Sequence, residues 1–170
     1  MKNGVILLGS SNSRGNTFAV SEYLSHKKSY PIIDLKSKLI KPFDYQFENS
    51  DDDFLPLIKD IVSHYQIIIF ATPVYWYTMS GTMKIFLDRI SDCLKIHKET
   101  GRKLRGKEMA VISSGSDKLL KSGFHMPFIE TAKYLGMLYI ADVHCCEKNL
   151  QEENREHLNR FIKKLNDHGY

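Results

Sequence analysis

The residues Gly9-Ser10-Ser11-Asn12-Ser13-Arg14-Gly15-Asn16-Thr17 have the types and spacing of an anion cup. They follow a short apolar run, Val5-Ile6-Leu7-Leu8, and precede a segment with helical periodicity. A strand, a hydroxyl- and glycine-rich turn and a helix start leave backbone N–H groups without intrahelical acceptors, at the positive end of the helix dipole. Ser10, Ser11, Ser13 and Thr17 add hydroxyl donors, and Arg14 adds charge. The simplest ligand for such a cup is a phosphate. A turn in which Asn16 or Thr17 merely caps the helix accounts for the same residues. Chemistry on the phosphate is disfavoured. Asn16-Thr17 stands where a Walker loop needs Lys-Ser/Thr, Gly9 and Gly15 do not complete the dinucleotide fingerprint, and the loop holds no cysteine nucleophile.

Two further stretches carry unusual residues. Thr72-Pro73-Val74-Tyr75-Trp76-Tyr77-Thr78-Met79-Ser80-Gly81 sets three aromatics in succession, including the only tryptophan. Exposed aromatics beside an anion cup suit a planar, partly apolar ligand, with the N–H groups of Tyr75 and Trp76 facing a ring edge. A dimer contact or an aromatic lid is the competing reading. Ser113-Ser114-Gly115-Ser116 reads as a small polar loop in which Gly115 permits close backbone approach, although an ordinary turn has the same composition.

The elements that must position these loops alternate along the chain. Strand-like runs are expected at Val5–Leu8, Pro31–Leu35, Ile67–Ala71, Met109–Ile112 and Met137–Val143. Helical stripes lie between and after them, as in Phe54, Leu57, Ile58, Ile61, Val62 and Tyr65, with Asp51-Asp52-Asp53 supplying cap and first-turn acids. Continuous apolar runs such as Ile67-Ile68-Ile69-Phe70-Ala71 indicate strands covered on both faces, as in a parallel sheet. Five β–α units with right-handed crossovers imply a three-layer α/β sandwich, a five-stranded parallel sheet of order 2-1-3-4-5. That flavodoxin-like order puts a ligand crevice beyond the carboxyl ends of the first and third strands. All three unusual stretches fall on that edge. A mononucleotide with a large aromatic ring system fits them, and FMN fits best.

The chain resembles the flavodoxin-like NAD(P)H-dependent FMN reductases and their iron–sulfur flavoprotein relatives. The resemblance rests on Gly9-Ser10 with Gly15-Asn16-Thr17, on Ala71-Thr72-Pro73-Val74-Tyr75-Trp76, on Gly81-Thr82-Met83-Lys84 with Phe86-Leu87-Asp88-Arg89, and on Gly106-Lys107 and Ser114-Gly115. It implies a phosphate site at Ser10, Asn12, Gly15, Asn16 and Thr17, with Arg14 as an outer charge. It places the flavin ring between Pro73, Val74, Tyr75 and Trp76 on one side and Ser114 and Gly115 on the other. It also implies hydride transfer from NADPH or NADH to the flavin, then electron transfer to a small acceptor such as a quinone or free flavin, and a homodimer or dimer-based oligomer. No acid, base or nucleophile is assigned. The iron–sulfur branch carries a cysteine run after the second strand, where this chain reads Ile40-Lys41-Pro42-Phe43-Asp44-Tyr45-Gln46-Phe47; a cluster needs about four thiolates, so no metal is expected.

The rest of the sequence sets limits. The 170 residues are read as one flavodoxin-like domain, 1–170, and the net charge of +4 requires no nucleic-acid partner. No apolar run is long enough to insert in a membrane. Met1-Lys2-Asn3 leads straight into the first strand, and Cys93, Cys145 and Cys146 read as reduced thiols, so the expected location is cytoplasmic. His97 and His125 are expected to flank the ligand side. Lys98, Arg102, Lys103 and Arg105 read as a solvated loop rather than a grip for NADPH. A flavodoxin-type electron carrier is the alternative function, disfavoured because carriers usually present a strongly acidic docking face; a non-catalytic module that lost the flavin is a third.

Overall fold

Strands that are apolar at every position bury both faces, and they do so here between two layers of helices. The computed structural model describes residues 3–146 and 152–167, so Met1 and Lys2 lie outside the described residues. The elements in chain order are β1 (Gly4–Leu8), α1 (Asn16–Lys28), β2 (Ile32–Asp34), α2 (Phe54–His64), β3 (Ile67–Pro73), α3 (Gly81–Lys95), α4 (Lys98–Arg102), β4 (Glu108–Gly115), α5 (Met126–Leu135), β5 (Leu138–Cys146) and α6 (Glu152–Asp167). The five strands form one parallel sheet in the order β2-β1-β3-β4-β5. That is the expected topology.

Alternation along each strand divides the core in two. Val5, Leu7, Ile68, Phe70, Met109 and Val111 point to one face, which α2, α3 and α5 cover with Phe54, Ile58, Phe86 and Phe128. Ile6, Leu8, Ile67, Ile69, Ala110 and Ile112 point to the other, covered by α1 and α6 through Val20, Leu24, Leu158 and Phe161. The inner face of α1 also buries Thr17 and Ser21, whose Oγ donates to the Thr17 carbonyl at 2.8 Å. Hydroxyls thus share this inner face with Val20 and Leu24.

Four strand ends differ from expectation, the first being β3, which runs on through Pro73. β2 stops at Asp34 because that carboxylate accepts from the Lys36 amide at 3.0 Å and starts a short 3-10 turn, Leu35–Ser37. β4 runs on through Gly115, since Ser113 pairs with Thr72 and His144, and Ser114 with Pro73 and Cys145. The predicted polar loop after the fourth strand therefore begins only at Ser116. β5 likewise extends to Cys146. Both extensions bring side chains to the carboxyl edge, where the site lies.

The acids before α2 do more than cap it. Asp53 is the N-cap residue but makes no side-chain cap bond; its Oδ2 accepts instead from the Leu39 amide at 2.8 Å. Asp52 is buried and accepts from the Phe54 and Lys41 amides at 3.0 and 2.9 Å. It also pairs with Arg89, a fully buried guanidinium of α3. Arg89 further donates to Asp92 at 2.8 Å and to the carbonyls of Lys41 and Asn49 at 2.9 and 2.8 Å, over the Phe54 ring. One side chain thus pins the 41–52 segment against α3.

Candidate flavin site

The site is assembled at the carboxyl edge from three segments, and hydrogen bonds between side chains and backbone tie them together. Gly9 leaves β1 with its amide on the Ala71 carbonyl at 2.8 Å, and its own carbonyl accepts from Ser80 Oγ. Ser80 is the N-cap of α3, where the same Oγ accepts from the Met83 amide at 3.1 Å. The hydroxyls of Ser11 and Tyr75 share a hydrogen bond of 2.8 Å, and those of Thr17 and Ser114 one of 2.6 Å. The first, second and third segments therefore border one crevice.

In the first segment, Ser10 is buried and its Oγ accepts from the Asn12 amide at 3.1 Å, while Asn12 Oδ1 accepts from the Arg14 amide at 3.1 Å. These side-chain bonds hold the chain in a tight bend. Gly15 is the N-cap of α1 and supplies no side-chain cap bond, so neither Asn16 nor Thr17 caps the helix. The first i→i−4 bond runs from the Ala19 amide to the Gly15 carbonyl at 3.1 Å, leaving the amides of Asn16, Thr17 and Phe18 ahead of it without an intrahelical acceptor. A β-carbon on Gly15 would stand 3.1 Å from Asn12 Nδ2, so a side chain there would press on the Asn12 amide. This donor set fits a phosphate. The Arg14 side chain is exposed.

The second segment is a tight hairpin. The Tyr75 amide donates to the Thr78 carbonyl at 2.9 Å, and the Thr78 amide to the Tyr75 carbonyl at 3.1 Å. Its two central residues, Trp76 and Tyr77, have φ of 49° and 65°. Positive φ at both positions is the inverted turn that normally calls for Asn-Gly, and bulky side chains there cost of order 1 kcal/mol or more each. The turn corrects one expectation: the Tyr75 amide is engaged within the hairpin and does not face the crevice. Trp76 is 91% exposed. Behind it, the Val74 amide donates to the Ser114 carbonyl at 2.8 Å, and Val74 Cβ lies 3.3 Å from where a Gly115 β-carbon would sit.

A cavity of about 260 Å³ opens beside these residues, lined by Val74, Trp76, Gly115, Leu120, Phe124 and His144 among others. His144 was not singled out from sequence as a site residue. Its Nε2 meets the Asp117 carbonyl at 2.8 Å and its Nδ1 meets Ser113 Oγ at 2.9 Å. A carbonyl only accepts, so Nε2 carries a proton and the ring latches the segment after β4 to β5. The strand alternation Val143, His144, Cys145 held the only available signal, and it required the true end of β5. His125, the N-cap of α5, lies next to Phe124 with its Nε2 3.6 Å from Asp142 Oδ1. His97 is misplaced by the sequence reading. α3 carries the chain back to the amino edge, where the His97 amide donates to the Asp92 carbonyl and residues 98–107 precede β4. Arg105 packs against Gly136 there, remote from the crevice. Burial pushes the Cys93 and Cys145 thiols up to about 12, so neither is a thiolate near neutrality.

The parallel sheet of order 2-1-3-4-5, with a helix N-terminus of free amides after β1 and an aromatic hairpin after β3, defines a flavodoxin-like mononucleotide-binding protein. Residues 1–145 match the model of the NADPH-dependent FMN reductases, and the chain belongs to that family. It is accordingly an NAD(P)H-dependent oxidoreductase with FMN as cofactor. It is 30% identical over 143 residues to YwqN of Bacillus subtilis (strain 168), named as a candidate NAD(P)H-dependent FMN-containing oxidoreductase; the match covers 76% of this chain and 75% of YwqN. Among solved structures, the Trp repressor binding protein of Bacillus subtilis has a TM-score of 0.72 at 22% identity, covering 95% of this chain and 98% of that one. General stress protein 14 of Treponema denticola, solved in complex with FMN, has a TM-score of 0.65 at 16% identity, covering 96% and 95%. Those two likenesses show the fold. No helix among the described residues is long and apolar enough to cross a membrane.

Proposed function

We propose that the protein, as one flavodoxin-like domain over residues 1–170, takes electrons from a nicotinamide nucleotide and passes them to a small acceptor such as a quinone or free flavin. The observation that carries this reading is the Ser11–Tyr75 bond of 2.8 Å, which joins an anion cradle to an aromatic hairpin across one crevice. Ser10, Asn12, Gly15, Asn16 and Thr17 hold the phosphate with Arg14 as outer charge. Pro73, Val74, Tyr75 and Trp76 border the ring on one side, and Ser114 and Gly115 on the other. Bound FMN supplies the redox chemistry, and the protein orients it and sets its exposure. Val74 and Gly115 line the inner wall of the cavity, while the exposed Trp76 hairpin leaves its mouth open to both substrates. Sharing one face predicts a ping-pong scheme.

The test is a visible absorption spectrum of the purified protein before and after anaerobic NADPH or NADH. A flavin spectrum that bleaches is expected. A bound flavin that stays oxidised with both donors would favour the carrier reading, and a protein that refuses added FMN would overturn the site.

The same reading includes a homodimer in the cytoplasm. Met126, Ile129 and Tyr134 are exposed on α5, beside a groove of about 590 Å³ between α3 and α5. Light scattering is expected to give twice the 19.7 kDa chain mass; a monomer at micromolar concentration would remove the dimer.

A further inference from the structure

A second cavity, of about 400 Å³, lies at the β5 edge between the segment after β4 and helix α6. Its wall holds Lys118, His157, Arg160 and Lys164. Positions 157, 160 and 164 recur at helical spacing, so α6 turns all three to one side. Among the described residues, none of Lys118, Arg160 and Lys164 forms an ion pair. The carboxylate in the wall, Asp142, is already engaged by Tyr139 Oη at 3.3 Å and lies near His125. Three cations and a histidine converge there against a single carboxylate of the wall, Asp142, next to the apolar side chains of Leu119, Val143 and Phe161. Leu119, Leu120 and His144 line this cavity and also the one beside Val74 and Gly115. The two cavities share a wall.

We propose that this basic groove is the subsite for the far end of the nicotinamide donor and that it recognises the 2′-phosphate distinguishing NADPH from NADH. The inference rests on the reductase reading above. A donor that stacks its reacting ring on the flavin from the open side, by Trp76, leaves the crevice over Leu119 and Leu120 and delivers its adenosine end to the groove. The exposed side chain of Leu119 offers the base an apolar bed. Arg160 and Lys164 meet the phosphate dianion, as a guanidinium fork and a point charge. Lys118 closes over it from the opposite wall, and His157 stands nearest the start of α6. The basic residues that the sequence offers most densely, at positions 98–105, lie at the other edge of the sheet and take no part.

The experiment uses FMN-loaded protein and the double variant Arg160→Gln/Lys164→Gln, both exposed positions of α6. Two readouts are taken: kcat/KM for NADPH and NADH, and calorimetric affinity for 2′,5′-ADP and 5′-AMP. The wild-type protein is expected to prefer NADPH and to bind 2′,5′-ADP more tightly than 5′-AMP. In the variant the NADPH/NADH ratio of kcat/KM is expected to fall about tenfold or more, through KM, with the same loss in 2′,5′-ADP affinity. An unchanged ratio, or wild-type protein that binds 2′,5′-ADP no better than 5′-AMP, would overturn the subsite. Wild-type protein that binds 2′,5′-ADP selectively but is bleached by neither donor would overturn the reductase reading and uphold the anion site.

Discussion

Replacing Arg89 by Met is expected to destabilise the protein by about 3–5 kcal/mol, the usual result of removing one partner of a buried ion pair. The side chains of Arg89 and Asp52 are 1% and 0% exposed, and Asp92 is 9% exposed. Without the guanidinium, both carboxylates stay buried without their counter-charge, and the carbonyls of Lys41 and Asn49 lose their donors. Urea unfolding measures the loss. A change no larger than the roughly 0.5 kcal/mol of an ordinary surface substitution would overturn the account. The pH dependence has a definite sign. Burial pushes the Asp52 carboxyl up, but the Arg89 donors and the Lys41 and Phe54 amides outweigh it and hold it below the usual carboxylate range. A depressed folded value contributes stability that is present above the unfolded value of about 3.9 and is lost as pH falls through the folded one. The gap between wild type and variant should therefore be full near neutrality and shrink in acid below about pH 4.

Gly9→Ala is expected to weaken FMN binding about tenfold or more, equivalent to roughly 1.4 kcal/mol. A β-carbon there would stand 2.8 Å from both Cβ and Cε of Met83 and 3.1 Å from its Cα. Met83 is fully buried in the first turn of α3, so Gly9 must shift away from the helix. Gly9 also holds Ser80, and the displacement separates the phosphate cradle from the aromatic hairpin. Overpacking of this kind also costs about 1–3 kcal/mol of stability. Trp76, the sole tryptophan, lies at the crevice and is exposed, so quenching of its fluorescence on FMN titration reads the affinity. Gly81→Ala is the control, because nothing lies within 4 Å of its β-carbon. Equal affinities for the two variants would refute the argument.

Much of this architecture was legible in the chain. Unbroken β-branched runs such as Ile67-Ile68-Ile69 report two-sided burial directly, and that alone selects a parallel sheet. The strand–turn–helix junction at residues 9–17 was legible because its parts are contiguous. What escaped were relations between distant positions. Asp52 looked like one of three capping acids, since nothing local reveals a partner at Arg89. His97 was expected to flank the ligand side because its distance along the chain from the aromatic hairpin hides the full length of α3 between them. His144 escaped because β5 runs past Val143, and strand ends follow from pairing with β4 rather than from local composition. The Tyr75 amide was misjudged because a two-residue turn of Trp76 and Tyr77 contradicts the residue preferences of that turn.

The bonds that close the crevice also say when it comes into being. Ser11 and Tyr75 are 64 residues apart, Gly9 and Ser80 71, and Thr17 and Ser114 97. The first two can form only after β1 and β3 have found their register and the third only after β4 has joined them, and closing chain segments of that length is entropically slow. The closed crevice is therefore a late product of folding, and a nascent chain that ends before Ser114 lacks the clasp on Thr17. Flavin capture then acts as a completion signal: it rewards only molecules whose central strands are already aligned, and draws the folding equilibrium toward them by mass action.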